Sequence, residues 1–319
     1  MPDGVFDLVA IGEPLVEFNQ ARGGDGRSYL QGFGGDTSNT VIAASRLGAR
    51  TAYFTRVGAD TFGHLLLELW RREGVDAGTV QTDATAPTGI YFVTHGPDGH
   101  AFSYRRAGSA ASRMEPRDVP EALIRSARFL HVSGISQAIS GSARDAVRHA
   151  VRIARQAGVR VAYDPNLRPA LWPAAQAAEA LDEIVAQADV FLPGLEDLRV
   201  LTGIDDPHRL VDWCHARGAS TVVLKLGARG ALASAGGART FIDAFAVQAV
   251  DATGAGDCFD AALLVRLGAG DGLADAVRFA CAAAALSTRG YGAVDPLPRL
   301  GEVRAFMQGG GDSTRASSR

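Results

Sequence analysis

The sequence has few cysteines and almost no lysine. Its three cysteines, Cys214, Cys258 and Cys281, are far apart and form no CxxC pair. That spacing excludes a disulfide framework and a zinc site built on paired cysteines, and it favours a reducing, cytoplasmic location. Lys225 is the only lysine among 32 lysine and arginine residues, so the positive charge of the chain is carried almost entirely by arginine.

The sequence also lacks an excess of positive charge and an apolar run of membrane-spanning length. Its formal net charge of −3 gives no basic surface for a polynucleotide, so neither nucleic acid nor membrane is an expected partner. The N-terminal residues lack the charged-then-apolar pattern of a secretory signal. The seven histidines show no metal-ligand spacing. The chain has 319 residues, of which 47% are hydrophobic, and this is enough to bury a large core.

Strand-like and helix-like patterns alternate along most of the chain. This alternation predicts an α/β fold with a mostly parallel sheet covered by helices on both faces. Ligands of such sheets bind at the carboxyl ends of the strands. Five residues are predicted at those ends: Gly12, Gly134, Asn166, Gly194 and Gly227.

Residues 88–106 interrupt the alternation. They read as two strands, 88–94 and 101–106, joined by the turn sequence Pro97-Asp98-Gly99. Together with residues 13–31, which alternate and contain a glycine-rich turn at Gly23–Gly26, they predict a small β-sheet that projects as a lid. We therefore expect one domain over residues 1–308, with a lid formed by about 13–31 and 88–106 and a disordered tail at 309–319.

The segment Gly254-Ala255-Gly256-Asp257 follows a strand-like stretch, 240–247, and precedes a helical pattern that Gly268 can end. A helix N-terminus offers unpaired N–H groups and favours an anion. Asp257 in the first turn can cap the helix, or it can take a proton from a hydroxyl that attacks a bound phosphoryl group. The sequence alone leaves both interpretations open.

Three common nucleotide and hydrolase motifs are absent from the chain: G-x-x-x-x-G-K-[ST], a G-x-G-x-x-G after the first strand, and G-x-S-x-G. The remaining candidates suit phosphoryl transfer, in which positioning and charge neutralisation supply most of the catalysis. Each candidate also has a structural interpretation.

Four stretches carry these candidates. Arg168, in a loop bracketed by prolines, could clamp a phosphate or carboxylate, or form a surface ion pair. The turn from Lys225 to Gly230 could approach a nucleotide, or be an ordinary tight turn. A polar cluster before the first predicted helix could bind sugar hydroxyls or cap that helix: Gly34, Gly35, Asp36 and Asn39. The hairpin residues could contact the substrate or serve only packing and solvation: Tyr91, Tyr104, Arg105 and Arg106.

Together these stretches resemble the ribokinase (PfkB-type) carbohydrate kinase family over nearly the whole chain. The C-terminal signature of that family, D-T-x-G-A-G-D, is similar to Asp251–Asp257. Its N-terminal signature, a double glycine followed by polar residues and an alanine-rich helix, is similar to Gly34–Gly48. The resemblance implies a three-layer α/β/α ribokinase-like fold with a small lid sheet, and it implies ATP and Mg²⁺ as cofactors, with a monovalent cation as a further candidate.

The resemblance also implies roles for individual residues. Gly254, Ala255 and Gly256 would form the anion hole, and Asp257 would be the catalytic base. The nucleotide would be bordered by Lys225, Gly227 and Gly230, together with Gly254 and Gly256. Within the family the motifs are most similar to those of 2-keto-3-deoxygluconate kinases, which implies that a sugar acid meets Gly34, Tyr91, Tyr104, Arg106 and Arg168, with Gly35, Asp36 and Asn39 beside them.

Two positions depart from the family pattern. The usual Asn-x-x-Glu after a central strand reads Gly194-Leu195-Glu196-Asp197, which leaves the metal ligands unassigned. The C-terminal signature begins Asp251-Ala252-Thr253 where Asp-Thr is usual.

We therefore expect an ATP-dependent kinase that phosphorylates the 6-hydroxyl of 2-keto-3-deoxygluconate. The alternatives are a kinase of the same fold for fructose, ribose or 5-dehydro-2-deoxygluconate, or a catalytically silent sugar or nucleotide sensor. The expected partners are the sugar acid and ATP, with a homodimer formed through the lid. The gluconate and galactonate epimers are not distinguished by the sequence.

Overall fold

The computed structural model describes residues 6–21, 26–96 and 99–309. Most of the predicted turn at Gly23–Gly26, the residues Pro97 and Asp98 of the hairpin turn, and the predicted tail from residue 310 onward lie outside the described residues. Within the described ranges, no helix combines the length and the apolarity needed to cross a bilayer.

Strands and helices alternate over these ranges, as the sequence predicts. The strands are β1 Phe6–Ile11, β2 Leu15–Gln20, β3 Tyr29–Gly34, β4 Thr51–Phe54, β5 Arg56–Gly58, β6 Gln81–Asp83, β7 Ile90–Gly96, β8 Gly99–Arg105, β9 Ala127–Ser133, β10 Arg160–Asp164, β11 Val190–Phe191, β12 Thr221–Lys225, β13 Ala231–Ala235 and β14 Ala238–Ile242. The helices are α1 Asp36–Arg46, α2 Thr61–Arg72, α3 Glu121–Arg125, α4 Gly134–Ala138, α5 Gly141–Ala157, α6 Ala174–Val185, α7 Leu195–Thr202, α8 Pro207–Ala216, α9 Ala255–Ala269, α10 Leu273–Ser287 and α11 Leu300–Gln308.

The large sheet has the order β14-β13-β12-β11-β10-β9-β1-β4. From β12 to β4 all neighbours pair in parallel, and only β13 and β14 are added antiparallel at one edge. The predicted mostly parallel sheet is confirmed. The carboxyl ends of its parallel strands therefore meet along one side, where loops from distant parts of the chain come together.

The sheet divides the core into two apolar layers. In β1, Leu8 and Ala10 pack into the layer that contains α1, α2, α9 and α10, whereas Val9 and Ile11 pack into the layer that contains α5, α6 and α8. Successive side chains of a strand point to opposite faces, so a continuous apolar strand is what a sheet covered on both sides requires.

The helices begin and end where their terminal residues allow. In α5 the hydroxyl of Ser140 accepts a hydrogen bond from the Ala143 amide, and Gly158 ends the helix with φ 70°. The end of α9 predicted at Gly268 is wrong by two residues. That helix continues to Ala269 and ends at Gly270, whose φ of 95° is the left-handed conformation.

Two predicted segments have different bounds in the structure, and one pair of strands lies outside the large sheet. The stretch 240–247 is strand only as far as Ile242, where β14 ends. Strand β5 follows β4 directly but pairs with β6 in a separate two-stranded sheet. Helix α1 begins at Asp36, so the polar residues that the sequence offered as caps lie within its first turn.

A second sheet, with the order β3-β2-β7-β8, lies beside the large one. Its strands β7 and β8 are the predicted hairpin, and β2 and β3 come from the predicted early segment. Because β3 ends at Gly34, directly before α1, the small sheet is joined to the body at the N-terminal end of that helix. We call this four-stranded sheet the small sheet.

Gly35 is the junction between the small sheet and α1, and its backbone conformation is one that other residues avoid. Its φ is 105°, and a Cβ there would lie 2.4 Å from the Glu13 carbonyl oxygen. We expect Gly35→Ala to lower the free energy of unfolding by at least about 1–3 kcal/mol, measured by urea denaturation. The control is Gly141→Ala, where a Cβ meets no atom within 4 Å and the change should be neutral or stabilising. Equal stability of both variants would contradict the steric argument.

Candidate active site

A cavity of about 980 Å³ lies between the carboxyl ends of the large sheet and the small sheet. Most of the predicted site residues line it: Gly34, Gly35, Asp36, Asn39, Tyr91, Tyr104, Arg106, Arg168, Lys225, Gly227, Gly254, Gly256 and Asp257. Three candidate residues do not: Arg105, Ala255 and Gly230. Of the five predicted strand-end residues, Asn166, Gly194 and Gly227 line the cavity, whereas Gly12 and Gly134 allow close backbone packing against Thr37 and Pro165.

The loop before α9 is shaped by Asp251 and Gly254. The Asp251 carboxylate accepts hydrogen bonds from the amide and hydroxyl of Thr253, at 2.9 and 2.7 Å, and from the Gly292 amide at 3.0 Å. Gly254 is the N-cap of α9, with φ 75°. Gly254 and Gly256 at this helix start line the cavity, and a helix supplies no partner of its own for the N–H groups of its first turn.

The predicted anion hole is only partly reproduced. Gly254 and Gly256 border the cavity, but the Ala255 amide donates to the Ala252 carbonyl at 3.1 Å and closes the turn instead. A Cβ on Gly256 would meet the Lys225 Nζ no closer than 3.7 Å. The space beside Gly256 is therefore free of protein atoms. A side chain at position 256 would occupy the room that an anion needs at the N-terminus of α9.

Asp257 lies in the first turn of α9 and is 9% exposed. Burial, and next the negative charge of Asp36, raise the pKa of its carboxyl to about 7, while a hydrogen bond from Asn39 acts in the opposite direction. The Asn39 Nδ2 donates to the Asp257 Oδ2 at 2.8 Å. A carboxylate with a pKa near the working pH is suited to general-base catalysis.

The first turn of α1 forms the polar floor of the cavity. No side chain caps this helix, so capping does not explain its polar residues. The Asp36 Oδ2 accepts hydrogen bonds from the Ser133 hydroxyl and, at 3.4 Å, from the Asn166 amide. The Asp36 Oδ1 and the Asn39 Oδ1 are buried without a partner. An unpartnered buried acceptor costs about 1–3 kcal/mol, so these two oxygens are suited to ligand hydroxyls.

The small sheet brings aromatic rings and one arginine to the cavity. Tyr91 stacks on Tyr104 with ring centroids 5.6 Å apart, and its hydroxyl donates to Glu17. Arg106 forms an ion pair with the buried Glu13, so much of its charge is neutralised within the protein. Arg105 does not line the cavity; its guanidinium donates to the Tyr104 carbonyl at 2.9 Å.

Of the three cations among the described residues that line the cavity, Arg106 and Lys225 form ion pairs and Arg168 does not. Its Nη1 donates to the Leu167 carbonyl at 2.9 Å, and it forms no ion pair with any residue in the described part of the chain. The surface ion pair that the sequence left open is therefore not formed. A guanidinium in this state can bind an anionic group in a bidentate way.

Lys225 lies at the end of β12, between two buried carboxylates. Its Nζ donates to Asp164 Oδ2 at 2.8 Å and to Asp260 Oδ1 at 3.0 Å. Although burial alone would lower it, the two negative charges hold the pKa of Lys225 above its usual value. Gly230, predicted beside it at the nucleotide, is a structural turn: its φ is 102° and a Cβ would lie 2.0 Å from the Ile242 carbonyl oxygen.

At Gly194, where the family usually has asparagine, the neighbouring Asp197 side chain takes the space of the missing side chain. A Cβ on Gly194 would lie 3.0 Å from the Asp197 Oδ2, so Asp197 takes up room that a side chain at 194 would need. Burial, followed by the charge of Asp164, raises the pKa of Asp197 to about 6. Glu196 and Asp197 both line the cavity, but no cluster of three or more metal-binding side chains exists within the described residues.

Sequence reasoning did not assign four of these groups. Glu13, Glu17 and Asp260 act through ion pairs or hydrogen bonds with partners 93, 74 and 35 residues away, which no local pattern reveals. Asn166 was placed at a strand end but given no role. Its φ of 36° is unusual for a residue other than glycine, although asparagine adopts such values more readily than most.

The profile of the pfkB family carbohydrate kinases matches residues 6–300 of this sequence. The chain belongs to the pfkB family. It is 39% identical to a 2-dehydro-3-deoxygluconokinase of Thermoproteus tenax in an alignment 311 positions long that covers 94% of each chain. A protein of the same name from Bacillus subtilis is 33% identical over 95% of each chain, and fructokinase-2 of Solanum habrochaites is 34% identical over 95% of this chain and 96% of that one.

Solved pfkB-type structures share the architecture. A PfkB protein from Polaromonas sp. JS666 superposes with a TM-score of 0.86 at 34% identity, covering 94% of this chain and all (100%) of that one. An E. coli protein assigned as a ribokinase II, in complex with ATP and Mg²⁺, has a TM-score of 0.86 at 25% identity, covering 94% and 98%. The predicted family, the ribokinase-like fold and the carbohydrate kinase class are confirmed.

The ion pairs of Lys225 should contribute strongly to folding. Lys225→Met leaves Asp164 and Asp260 buried without their cation, and we expect the free energy of unfolding to fall by about 3–5 kcal/mol in urea denaturation. Adding Asp260→Asn should recover part of the loss, because it removes one of the two buried charges. The control is Arg229→Met, an exposed cation nearby, which should change little. A loss of less than about 1 kcal/mol for Lys225→Met would contradict this account.

Proposed function

We propose that this pfkB kinase transfers the γ-phosphoryl group of ATP to the 6-hydroxyl of 2-keto-3-deoxygluconate. The observation that carries the proposal is the placement of Asp257, a buried carboxyl with a pKa of about 7, between the N-terminus of α9 and two unpartnered oxygens of α1. An acceptor hydroxyl held at those oxygens has a base on one side and an anion-binding helix terminus on the other.

In the proposed reaction, the sugar O6 attacks the γ-phosphorus and the bond from that phosphorus to the bridging oxygen of ADP breaks. The proton of the hydroxyl passes to Asp257. The N-terminus of α9, with Gly254 and Gly256 bordering the space, stabilises the charge on the transferred group. Lys225, fixed by Asp164 and Asp260, and Gly227 border the nucleotide.

The donor set of the cavity suits Mg²⁺-bound ATP. Magnesium is commonly held by one or two carboxylates plus the phosphates of the substrate, so an all-protein cage is not needed. Glu196 and Asp197 line the cavity and are the carboxylates we assign to hold the ion through water. When bound, Mg²⁺ neutralises phosphate charge. A requirement for a monovalent cation stays a prediction.

The proposed carboxylate of the sugar acid is best matched by Arg168. Arg106 is already paired with Glu13, so a ligand carboxylate would gain less from it than from Arg168. Arg106 and the tyrosines Tyr91 and Tyr104 then shape the wall around the sugar. We infer that the small sheet acts as the lid of this site, because it supplies that wall from outside the main body.

A neutral-sugar kinase is the second candidate. The neutralised Arg106 and the relative named fructokinase-2 favour it. Arg168, which forms no ion pair within the described residues and has only the Asp197 charge near it, favours the acidic sugar instead. Membership of a carbohydrate kinase family argues against a silent sensor.

We also propose a homodimer formed through the small sheet and a cytoplasmic location. Four large apolar side chains are exposed on that sheet, and among them Leu30 is 68% exposed: Tyr29, Leu30, Phe102 and Tyr104. Leu30, Phe102 and Tyr104 share one face of the sheet, and Tyr29 lies on the other, packed on Phe92. Exposed apolar side chains of this kind favour self-association, which the mass of the protein in solution can report. Cys214, Cys258 and Cys281 are free and buried, as in a reducing compartment.

A substrate panel tests the sugar. With ATP and Mg²⁺, kcat/KM for 2-keto-3-deoxygluconate should exceed that for fructose by about 10–100-fold, the worth of one charge-assisted hydrogen bond to a carboxylate. Arg168→Gln should remove most of that preference. Arg105→Gln, which changes an arginine outside the cavity, should preserve it. A preference for fructose in the unmodified protein would contradict the acidic substrate and favour the second candidate.

Asp257 offers a test of the chemistry. Because only its ionised form accepts a proton, activity should fall about tenfold per pH unit below a midpoint near 7 and be constant above it. The groups facing it are Asp36 from α1, Asp164 from β10 and Lys225 from β12. Asp257→Asn should abolish turnover but leave ATP binding nearly intact.

The same variant has an expected effect on stability. Above the midpoint, Asp257 is ionised in spite of its burial, which destabilises the fold, so Asp257→Asn should raise the melting temperature at pH about 8. Calorimetry measures this. Retained turnover in Asp257→Asn would disprove the assignment of the base.

A further inference from the structure

Asn39 is a buried side chain that contacts the proposed base directly. It lies in the first turn of α1, 218 residues from Asp257, and is 3% exposed. Helices α1 and α9 pack against each other, and their N-terminal ends meet at this contact. The sequence pointed to Asn39 only as a sugar-binding or helix-capping residue.

The chemistry of the two groups fixes how the amide is oriented. An ionised carboxylate only accepts hydrogen bonds, so the amide nitrogen of Asn39 must face Asp257. The Nδ2 donates to the Asp257 Oδ2 at 2.8 Å, and the Asn39 Oδ1 is left buried without a partner. Because Oδ2 is engaged by Asn39, Oδ1 of Asp257 is the oxygen that remains for an acceptor hydroxyl.

The hydrogen bond also acts on the charge of Asp257. Burial and the negative charge of Asp36 both favour the protonated form, which cannot act as a base. A hydrogen bond donated to the carboxylate favours the ionised form and opposes both effects. Among the described residues, Asn39 is the one side chain that donates a hydrogen bond to Asp257.

We propose that Asn39 is a positioning residue for the base: it holds the Asp257 carboxylate with Oδ1 free for the acceptor hydroxyl and keeps that carboxylate ionised at neutral pH. This inference deepens the proposed function and rests on it for the identity of the base. It assigns to Asn39 an effect on the proton acceptor that a sugar contact alone does not have.

The test compares two variants of Asn39 with a control on the same helix. Asn39→Ala removes the donor. Asn39→Asp keeps the shape but replaces the donor by a carboxylate. The control is Thr40→Val, which changes a fully buried neighbour whose hydroxyl donates to the Asp36 carbonyl and does not contact Asp257.

The pH dependence of kcat, with whichever sugar the protein phosphorylates, is the kinetic readout. We expect the midpoint to rise by about one pH unit or more in Asn39→Ala and further in Asn39→Asp, which adds a like charge. At pH about 7 the Asn39→Ala rate should be lower by about fivefold or more, and it should recover substantially at pH about 9. Thr40→Val should keep the midpoint of the unmodified protein.

A second readout needs no substrate. The ¹³C signal of the Asp257 carboxyl, identified by its loss in Asp257→Asn, gives the titration of that group in the ligand-free protein. The same upward shift in Asn39→Ala supports the proposal even if the sugar has been misidentified. Failure of the proposed substrate can therefore be distinguished from failure of the role proposed for Asn39. An unchanged Asp257 titration overturns the proposal, as does a raised sugar KM with an unchanged kcat midpoint. Should Asn39→Ala fail to fold, Asn39→Leu, which removes the donor, fills the same space and adds no charge, decides by the same criteria.

Discussion

The contact of Lys225 with Asp164 and Asp260 joins the parts of the molecule that the site requires. Lys225 ends β12, Asp164 ends β10, and Asp260 lies one turn after Asp257 on α9. One ammonium group therefore fixes two strand ends and the helix that carries the proposed base. Because the two carboxyls are buried and the Lys225 side chain is only 15% exposed, the contact acts at low dielectric, where losing the cation would be costly.

The cavity keeps more negative than positive charge within its walls. Asp36 and Asp257 face it without a cation in direct contact, and Glu13 cancels much of the charge of Arg106. Burial and mutual repulsion raise the pKa values of these acids, which provides a base at neutral pH. It also means that a highly charged nucleotide needs compensation from a bound cation and from the amides of α9 rather than from arginines alone.

Much of the fold follows from local patterns, because strand alternation and helix termini depend on neighbouring residues. The loop Gly254–Asp257 and the parallel sheet are of this kind. The misplaced stop at Gly268 shows the limit: either Gly268 or Gly270 could end α9, and the backbone adopts the left-handed conformation only at Gly270. The pairing of Arg106 with Glu13 spans 93 residues and could not be seen before the strands were placed. Without it, Arg106 looked like a free partner for a carboxylate.

The solitary lysine has a consequence for the chemical reactivity of the protein. Reagents and metabolites that acylate or glycate ε-amino groups act on the neutral amine, and Lys225 is the one such group in the sequence. Two carboxylates hold it protonated in a buried position. The folded chain therefore presents no reactive lysine at its surface, and an arginine-rich exterior keeps its charge under conditions that would progressively neutralise a lysine-rich one.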